Sequence, residues 1–100
     1  MPADSPGKWI LLGFTERFAA WVDLETIDAR LGRVVADWIE TRRVDPYHGA
    51  IREDRVPGLW WARIPSTLHK GDFVAICSYW IDPAKREVRC DNFGSAPWTV

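Results

Sequence analysis

Three consecutive segments in the second half of the chain decide the fold: GLWWARIP at residues 58–65, GDFVAICSYWID at residues 71–82, and KREVRCDNF at residues 85–93. The first two segments are rich in aromatic and β-branched residues, as strands of a half-buried sheet are, and the third alternates charged residues with Val88 and Cys90. Turn-forming residues separate the segments. The pattern therefore predicts a meander of three antiparallel strands.

The last two strands are joined by DPAK at residues 82–85. Asp at the first corner and Pro at the second are typical of a type I turn, because proline presets φ and the Asp side chain can bond its own backbone. A hairpin centred on this turn places Cys77 opposite Cys90 and Tyr79 opposite Val88.

The period of two gives this hairpin one apolar face and one mixed face. The apolar face carries Phe73, Ala75, Cys77, Tyr79, Ile81, Val88 and Cys90. The mixed face carries Ile76, Ser78, Trp80, Glu87, Arg89 and Asp91. An antiparallel sheet covered mainly on one side is expected.

The first half of the chain predicts one strand and two helices. Residues 9–14, WILLGF, form an apolar run that suits a strand buried on both faces. Thr15 is a candidate N-cap for a short helix, and Asp23 or Thr26 for a longer one. The longer helix has apolar residues at helical spacing and ends before Pro46. Those residues are Ile27, Leu31, Val34, Val35, Trp38 and Ile39.

The predicted order is β-α-α-β-β-β, a single α+β domain over residues 8–100 after a disordered tail at residues 1–7. We expect an antiparallel-rich sheet of four strands with two helices packed on one face. The first strand must pair with the meander to satisfy its backbone groups. A return through two helices places it most easily parallel to one of the later strands.

Composition excludes several functions. A net charge of −1 gives no general attraction to nucleic acid or anionic membranes, and no apolar run reaches the length of a membrane span. The two cysteines and the two histidines have no metal-ligand spacing, and nothing indicates a cofactor or a small-molecule ligand. The N-terminus has no signal-like pattern, so a cytoplasmic protein with buried, reduced thiols is expected. Most of the seven tryptophans are expected in the core.

Several local phrases resemble the RelE/ParE-type toxins of bacterial toxin–antitoxin systems. FTERFAAWVD follows the first strand, the second helix ends in DPYHG at residues 45–49, and the next strand carries PGLW followed by Arg63 and Ile64. The resemblance covers about residues 9–94. It implies a small protein that either cuts messenger RNA on the ribosome or acts on DNA gyrase, held inactive by a cognate antitoxin.

The nuclease branch of that family cleaves RNA by means of its 2′-hydroxyl and needs clustered cations on the strands. Arg63 matches the basic residue of the second strand. The family has its next arginine on the third strand, at the position of Phe73 or Val74 in this chain. It has further basic residues near the C-terminus, where this chain has Ser95, Ala96 and Pro97. The resemblance therefore implies a toxin scaffold that acts mainly through protein binding, with a metal-independent endoribonuclease as the alternative.

The catalytic candidates under that alternative are Arg63, His69, Lys70 and His48. Both histidines lie in predicted loops, where a solvated side chain is the competing interpretation. Arg52 and Arg55, with Arg63, His69 and Lys70, would form a basic rim, although Glu53 and Asp54 interrupt it.

Trp60 and Trp61 are adjacent in a strand, so only one of them can enter the core. The other must share the second face with Trp80, where Arg89 also lies. That patch is either covered by the N-terminal tail or by Trp98, or it is a binding surface for an antitoxin-like protein. A non-toxin interaction module with an exposed aromatic face is a further alternative. A monomer or weak dimer is expected.

Overall fold

The computed structural model describes residues 8–98, so the predicted disordered tail at residues 1–7 lies outside the described residues. The chain order is one strand, two helices and then four strands. The elements are β1 (Ile10–Leu12), α1 (Phe14–Glu25), α2 (Ala29–Thr41), β2 (Ile51–Arg52), β3 (Leu59–Arg63), β4 (Phe73–Asp82) and β5 (Glu87–Pro97). The α+β class and the two helices are as predicted.

The sheet has five strands, not the four that the sequence predicts, in the order β1-β5-β4-β3-β2. The missed strand, β2, is two residues long, which is too short to show a period of two. It pairs antiparallel with β3. The first strand is parallel to β5, as expected for a chain that returns through two helices.

The hairpin register differs from the predicted one by two residues. Tyr79 pairs with Cys90, and Ile81 pairs with Val88. The loop is longer than a two-residue turn because Arg86 takes a left-handed conformation with φ of 53° and extends it. Asp82 nevertheless acts as predicted, since its Oδ1 accepts the backbone N–H groups of Ala84 and Lys85, at 3.1 and 3.2 Å. An even shift leaves every side chain on its predicted face.

A β-bulge lies in β5 at Asp91. Tyr79 pairs with Cys90 while Ser78 pairs with Asn92, so Asp91 has no strand partner of its own. The extra residue shifts the alternation by one position, and Phe93 therefore points into the core, where it is 4% exposed. The predicted pairing of Cys77 with Cys90 is wrong, because the register shift pairs Cys90 with Tyr79 and the bulge then pairs Cys77 with Phe93.

The face of the sheet that carries Cys77 and Tyr79 packs against both helices, as predicted. The core contains side chains from α1, α2 and the four longer strands. Its least exposed members are Val35, Ala75, Cys77, Tyr79 and Val88, each 0% exposed. Phe73 is on the same face but is 38% exposed at the end of β4.

The sequence predicts a first strand that is buried on both faces, and this prediction is wrong. It lies at the edge of the sheet, and Ile10 is 53% exposed. Leu11 packs against the core, while Leu12 is only partly buried. The apolar run therefore forms a short edge strand. One face of this strand has no covering layer among residues 8–98, so it is not buried on both faces.

The predicted helix caps are also wrong. Gly13 precedes α1 with no side-chain cap, and Asp28 caps α2 by accepting the backbone N–H of Leu31 at 2.8 Å. The first helix is longer than predicted and runs through Asp23 to Glu25. The second begins after Ile27, so that residue packs beside the core from outside the helix.

Replacing Thr26 with Gly is expected to raise the free energy of unfolding by about 1 kcal/mol. Thr26 ends α1 in the left-handed region, with φ 53° and ψ 55°, and its β-branched side chain is strained there. Urea unfolding followed by circular dichroism measures the change. Gly13→Ala is the matched control: φ at Gly13 is 76°, so this substitution is expected to cost stability. A Thr26→Gly variant that is less stable than the wild type would contradict the strained left-handed conformation of Thr26.

Candidate functional site

The sheet has one face that no helix of residues 8–98 covers, which we call the helix-free face. Its apolar centre consists of Leu59, Trp61, Val74, Ile76 and Trp80 from β3 and the adjacent β4. All five side chains are partly or substantially exposed. Since β4 is the middle strand of the five, this apolar area lies at the centre of the sheet rather than at its rim.

The two adjacent tryptophans of β3 point to opposite faces. Trp60 pairs with Tyr79 and packs on the core, with its ring centre 5.1 Å from that of Tyr47. Trp61 pairs with Ser78 and belongs to the helix-free face. The outward tryptophan that the sequence left open is therefore Trp61.

Small residues on β5 lie beside the apolar centre of the helix-free face. Gly94 pairs with Ile76, and Ala96 pairs with Val74. A Cβ on Gly94 would lie 3.9 Å from Cγ1 of Ile76, so the Ile76 side chain packs beside the Gly94 backbone. The β5 side of the face therefore carries little side-chain bulk next to the apolar row of β4.

The hairpin end of the helix-free face adds charge to this surface. A cavity of about 350 Å³ is lined by Trp80 with two acidic and two basic residues, namely Asp82, Lys85, Glu87 and Arg89. Arg89 pairs directly with Trp80 across the two strands, which places the predicted charged residue beside the aromatic one. Trp80 itself is 37% exposed. Its ring packs beside the backbone of Gly58, since a Cβ on that glycine would lie 3.8 Å from the ring carbon Cε3.

The four catalytic candidates line two different cavities. His48 and Arg63 line one of about 280 Å³ between the end of α2 and β3. His69 and Lys70 line a smaller one, of about 100 Å³, next to the start of α2. The four residues that the sequence suggests as one catalytic set therefore lie in two separate pairs, one in each cavity.

His69 and Lys70 tie the end of α1 to the sheet. His69 Nδ1 lies 2.7 Å from the Thr67 carbonyl oxygen, and its Nε2 lies 3.0 Å from Ser95 Oγ. Ser95 Oγ in turn donates to Glu25 Oε1 at 2.7 Å. Lys70 Nζ donates to the Glu25 backbone carbonyl at 3.1 Å, where a cation also favours the helix C-terminus. These contacts give the pair a structural role.

The other basic candidates do not form a continuous rim. Arg52 pairs with Trp60, so its side chain is on the side of the sheet opposite Trp61 and Arg63. Arg55 is exposed in the loop before β3. Arg63 stands over the Trp61 ring, with Cζ 5.2 Å from the ring centre. Only Arg63 of these three belongs to the helix-free face.

The sequence analysis missed Arg42, the most buried charged residue at 2% exposure. Its Nη1 donates to the Pro46 and His48 carbonyl oxygens and to Tyr79 Oη, at 3.3, 2.8 and 3.0 Å. Nε and Nη2 both donate to Thr41 Oγ1, at 3.1 and 3.0 Å. The guanidinium carbon also lies 4.6 Å from the centre of the Trp38 ring.

A signal for Arg42 is present in the sequence. Val35, Trp38 and Ile39 lie on the buried stripe of α2, and position 42 continues the same spacing. Arg43 departs from the stripe and forms an exposed ion pair with Glu40 at 2.8 Å. Of two adjacent arginines, the helical period therefore selects Arg42 as the one that points inward.

The Cys77 thiol is not poised as a nucleophile. Cys77 and Cys90 are free, with their sulfur atoms 4.0 Å apart. Burial raises the pKa of the Cys77 thiol well above its usual value, and the hydrogen bond with Cys90 raises it further. Burial also raises the pKa of Tyr79, against the opposing effect of Arg42. Both groups stay protonated at neutral pH, and the Tyr79 hydroxyl can donate to the Pro46 carbonyl at 2.8 Å.

Within the described part of the chain, no cluster of three or more His, Cys, Asp or Glu residues is arranged to hold a metal ion. No helix in that part is long and apolar enough to span a membrane. Neither a protein-family model nor a curated protein sequence matches this chain.

Proposed function

We propose that this chain is a RelE/ParE-like toxin-scaffold protein that acts by binding a protein partner through its helix-free face. The observation that carries the proposal is the central position of Trp61 and Trp80 on a sheet face with no helix over it. Partly exposed aromatic residues in the middle of a contiguous apolar area are the usual anchors of protein interfaces.

The arrangement of the face favours an extended partner segment. Its apolar row runs along β4, beside the small residues Gly94 and Ala96 of β5. A segment that orders on binding needs large apolar contacts to offset its loss of conformational entropy. Trp61 and Trp80 supply those contacts, and Arg89 supplies an adjacent charge for an acidic residue of the partner.

The resemblance to RelE/ParE-type toxins gives the partner a class: a cognate antitoxin whose extended segment wraps the scaffold. The separation of His48 and Arg63 from His69 and Lys70 supports binding over RNA cleavage. Cleavage needs its proton-transfer groups and its cations at one phosphate. The two pairs here line different cavities.

Trp61→Ala and Trp80→Ala are each expected to weaken binding of the product of the adjacent gene about thirtyfold or more, or at least ~2 kcal/mol. Truncation removes a central anchor without touching the core. Isothermal titration with purified proteins measures the change, after circular dichroism has confirmed folding. Leu24→Ala is the matched apolar control, because Leu24 is 83% exposed on α1. Arg55→Ala is the matched loop control.

The proposal is wrong if the tryptophan variants bind like the wild type while Arg55→Ala weakens the complex. Expression with a transcript-cleavage assay tests the ribonuclease alternative. We expect intact transcripts. Cut transcripts that become intact with Arg63→Ala and Lys70→Ala would replace the binding proposal with an endoribonuclease.

A further inference from the structure

We propose that the cavity between the end of α2 and the end of β3 binds a small carboxylic acid in its ionised form. Its walls come from three parts of the chain: α2, the loop after it, and β3 with the residues that follow. They are Trp38, Thr41, Arg42, His48, Gly49, Arg63 and Pro65, around about 280 Å³. This site shares Arg63 with the helix-free face, but the ligand proposed for it does not depend on the proposed partner.

The first observation is that the charge of Arg42 is buried without an anion. Its hydrogen-bond acceptors are hydroxyl and carbonyl oxygens, all of them neutral. No carboxylate of residues 8–98 comes within 4.0 Å of its nitrogens. A cation that is 2% exposed keeps a strong field in its surroundings, because little water is there to screen it.

The second observation is that this guanidinium has donor capacity left. Nη2 carries two hydrogens, and its one acceptor among residues 8–98 is Thr41 Oγ1. Arg42 forms part of the cavity wall, where His48 and Arg63 add two further groups that can donate to an anion. Three nitrogen-bearing side chains thus surround one small space.

The walls also select the kind of anion. Trp38, Gly49 and Pro65 offer apolar surface beside the cationic groups. A carboxylate matches the planar fork of a guanidinium, and a short branched carbon chain attached to it would cover the apolar wall. Phosphate has no apolar part and would leave that wall in contact with water. A volume of about 280 Å³ lies at the small end of ligand sites, so a nucleotide or a peptide does not fit.

The probes for the test are 3-methylbutanoate, its neutral isostere 3-methylbutanamide, and inorganic phosphate, each titrated into ¹⁵N-labelled protein. We expect saturable amide shifts in residues 41–49 and 63–65 with the carboxylate, with a Kd on the order of 1 mM. We expect no saturable shift with the amide. Phosphate is expected to bind at least about tenfold more weakly than the carboxylate.

Arg63→Met is expected to weaken binding of 3-methylbutanoate about tenfold by loss of charge and donors, and His48→Ala about threefold by loss of a donor. Arg52→Met is the matched control and is expected to bind like the wild type, since Arg52 does not line this cavity. The proposal is overturned if the carboxylate and the amide cause equal shifts, or if phosphate binds more tightly than the carboxylate. It is also overturned if the carboxylate causes no saturable shift up to about 20 mM, which is about twentyfold above the expected Kd. Unchanged binding of the carboxylate by a folded Arg63→Met variant would overturn it as well.

Discussion

Arg42→Met is expected to lower the free energy of unfolding by about 2–4 kcal/mol. The methionine fills part of the same volume but donates no hydrogen bond. The His48 carbonyl loses its donor, and Thr41 Oγ1 and Tyr79 Oη each lose contacts with the guanidinium. A buried acceptor left without a donor costs about 1–3 kcal/mol. Urea unfolding followed by circular dichroism measures the loss.

The adjacent arginine provides the control for this prediction. Arg43→Met removes an exposed ion pair with Glu40 and is expected to change the stability by no more than about 0.5 kcal/mol. Arg42→Lys should fall between the two, because it keeps the charge but reaches fewer acceptors. Equal effects of Arg42→Met and Arg43→Met would show that Arg42 does not hold the loop after α2.

The strong effect expected at Arg42 follows from where the residue sits in the fold. The loop of residues 45–49 connects α2 to the sheet. Backbone turn bonds satisfy its Asp45 and Tyr47 carbonyls, whereas those of Pro46 and His48 accept from side chains. Arg42 binds carbonyls of this loop and the hydroxyl of Tyr79 on β4. One side chain thus joins a helix end, a loop and the central strand.

The buried face of the meander was predictable because side-chain alternation is a property of the extended backbone. Alternation in residues 73–81 placed Ala75, Cys77, Tyr79 and Ile81 on one side, and the structure buries all four. The strand register was not predictable in the same way. It depends on how many residues the turn contains, and the left-handed conformation of Arg86 leaves no mark in the sequence.

The candidate site was only partly predictable from the sequence. Alternation alone required one of Trp60 and Trp61 to face outward, but only the strand pairing identifies Trp61. Loop residues were harder, because no period applies to them. His69 and His48 are far apart in the sequence and line different cavities. The other residues that line each cavity come from distant parts of the chain.

The helix-free face and the cavity around Arg42 are different kinds of surface. The first is broad, central and apolar, with its charges at one end of the hairpin. The second is narrow and has a buried cation in its wall. Arg63 contributes to both, since it lines the cavity and stands over Trp61. Its substitution is therefore expected to affect both kinds of binding, whereas Trp80→Ala should affect only that of a protein partner.

Phe93→Ala is expected to lower the free energy of unfolding by about 3–5 kcal/mol. The ring is 4% exposed and packs on three aromatic side chains of α1, with centres 6.0–6.3 Å from those of Phe14, Phe18 and Trp21. Its loss leaves a cavity between α1 and β5 and removes aromatic contacts that are worth more than their area alone. Equilibrium urea unfolding measures the change.

Asn92→Ala is the control for Phe93→Ala, and together they test the bulge at Asp91. In a strand without the bulge, strict alternation from Cys90 would place residue 92 in the core and residue 93 outside. With the bulge, Asn92 is exposed, and its substitution is expected to change the stability by no more than about 0.5 kcal/mol. A costly Asn92→Ala beside a neutral Phe93→Ala would contradict the register and, with it, the placement of Gly94 and Ala96 on the helix-free face. The expected result, a large loss at Phe93 alone, requires the extra residue in β5 that turns this ring toward α1.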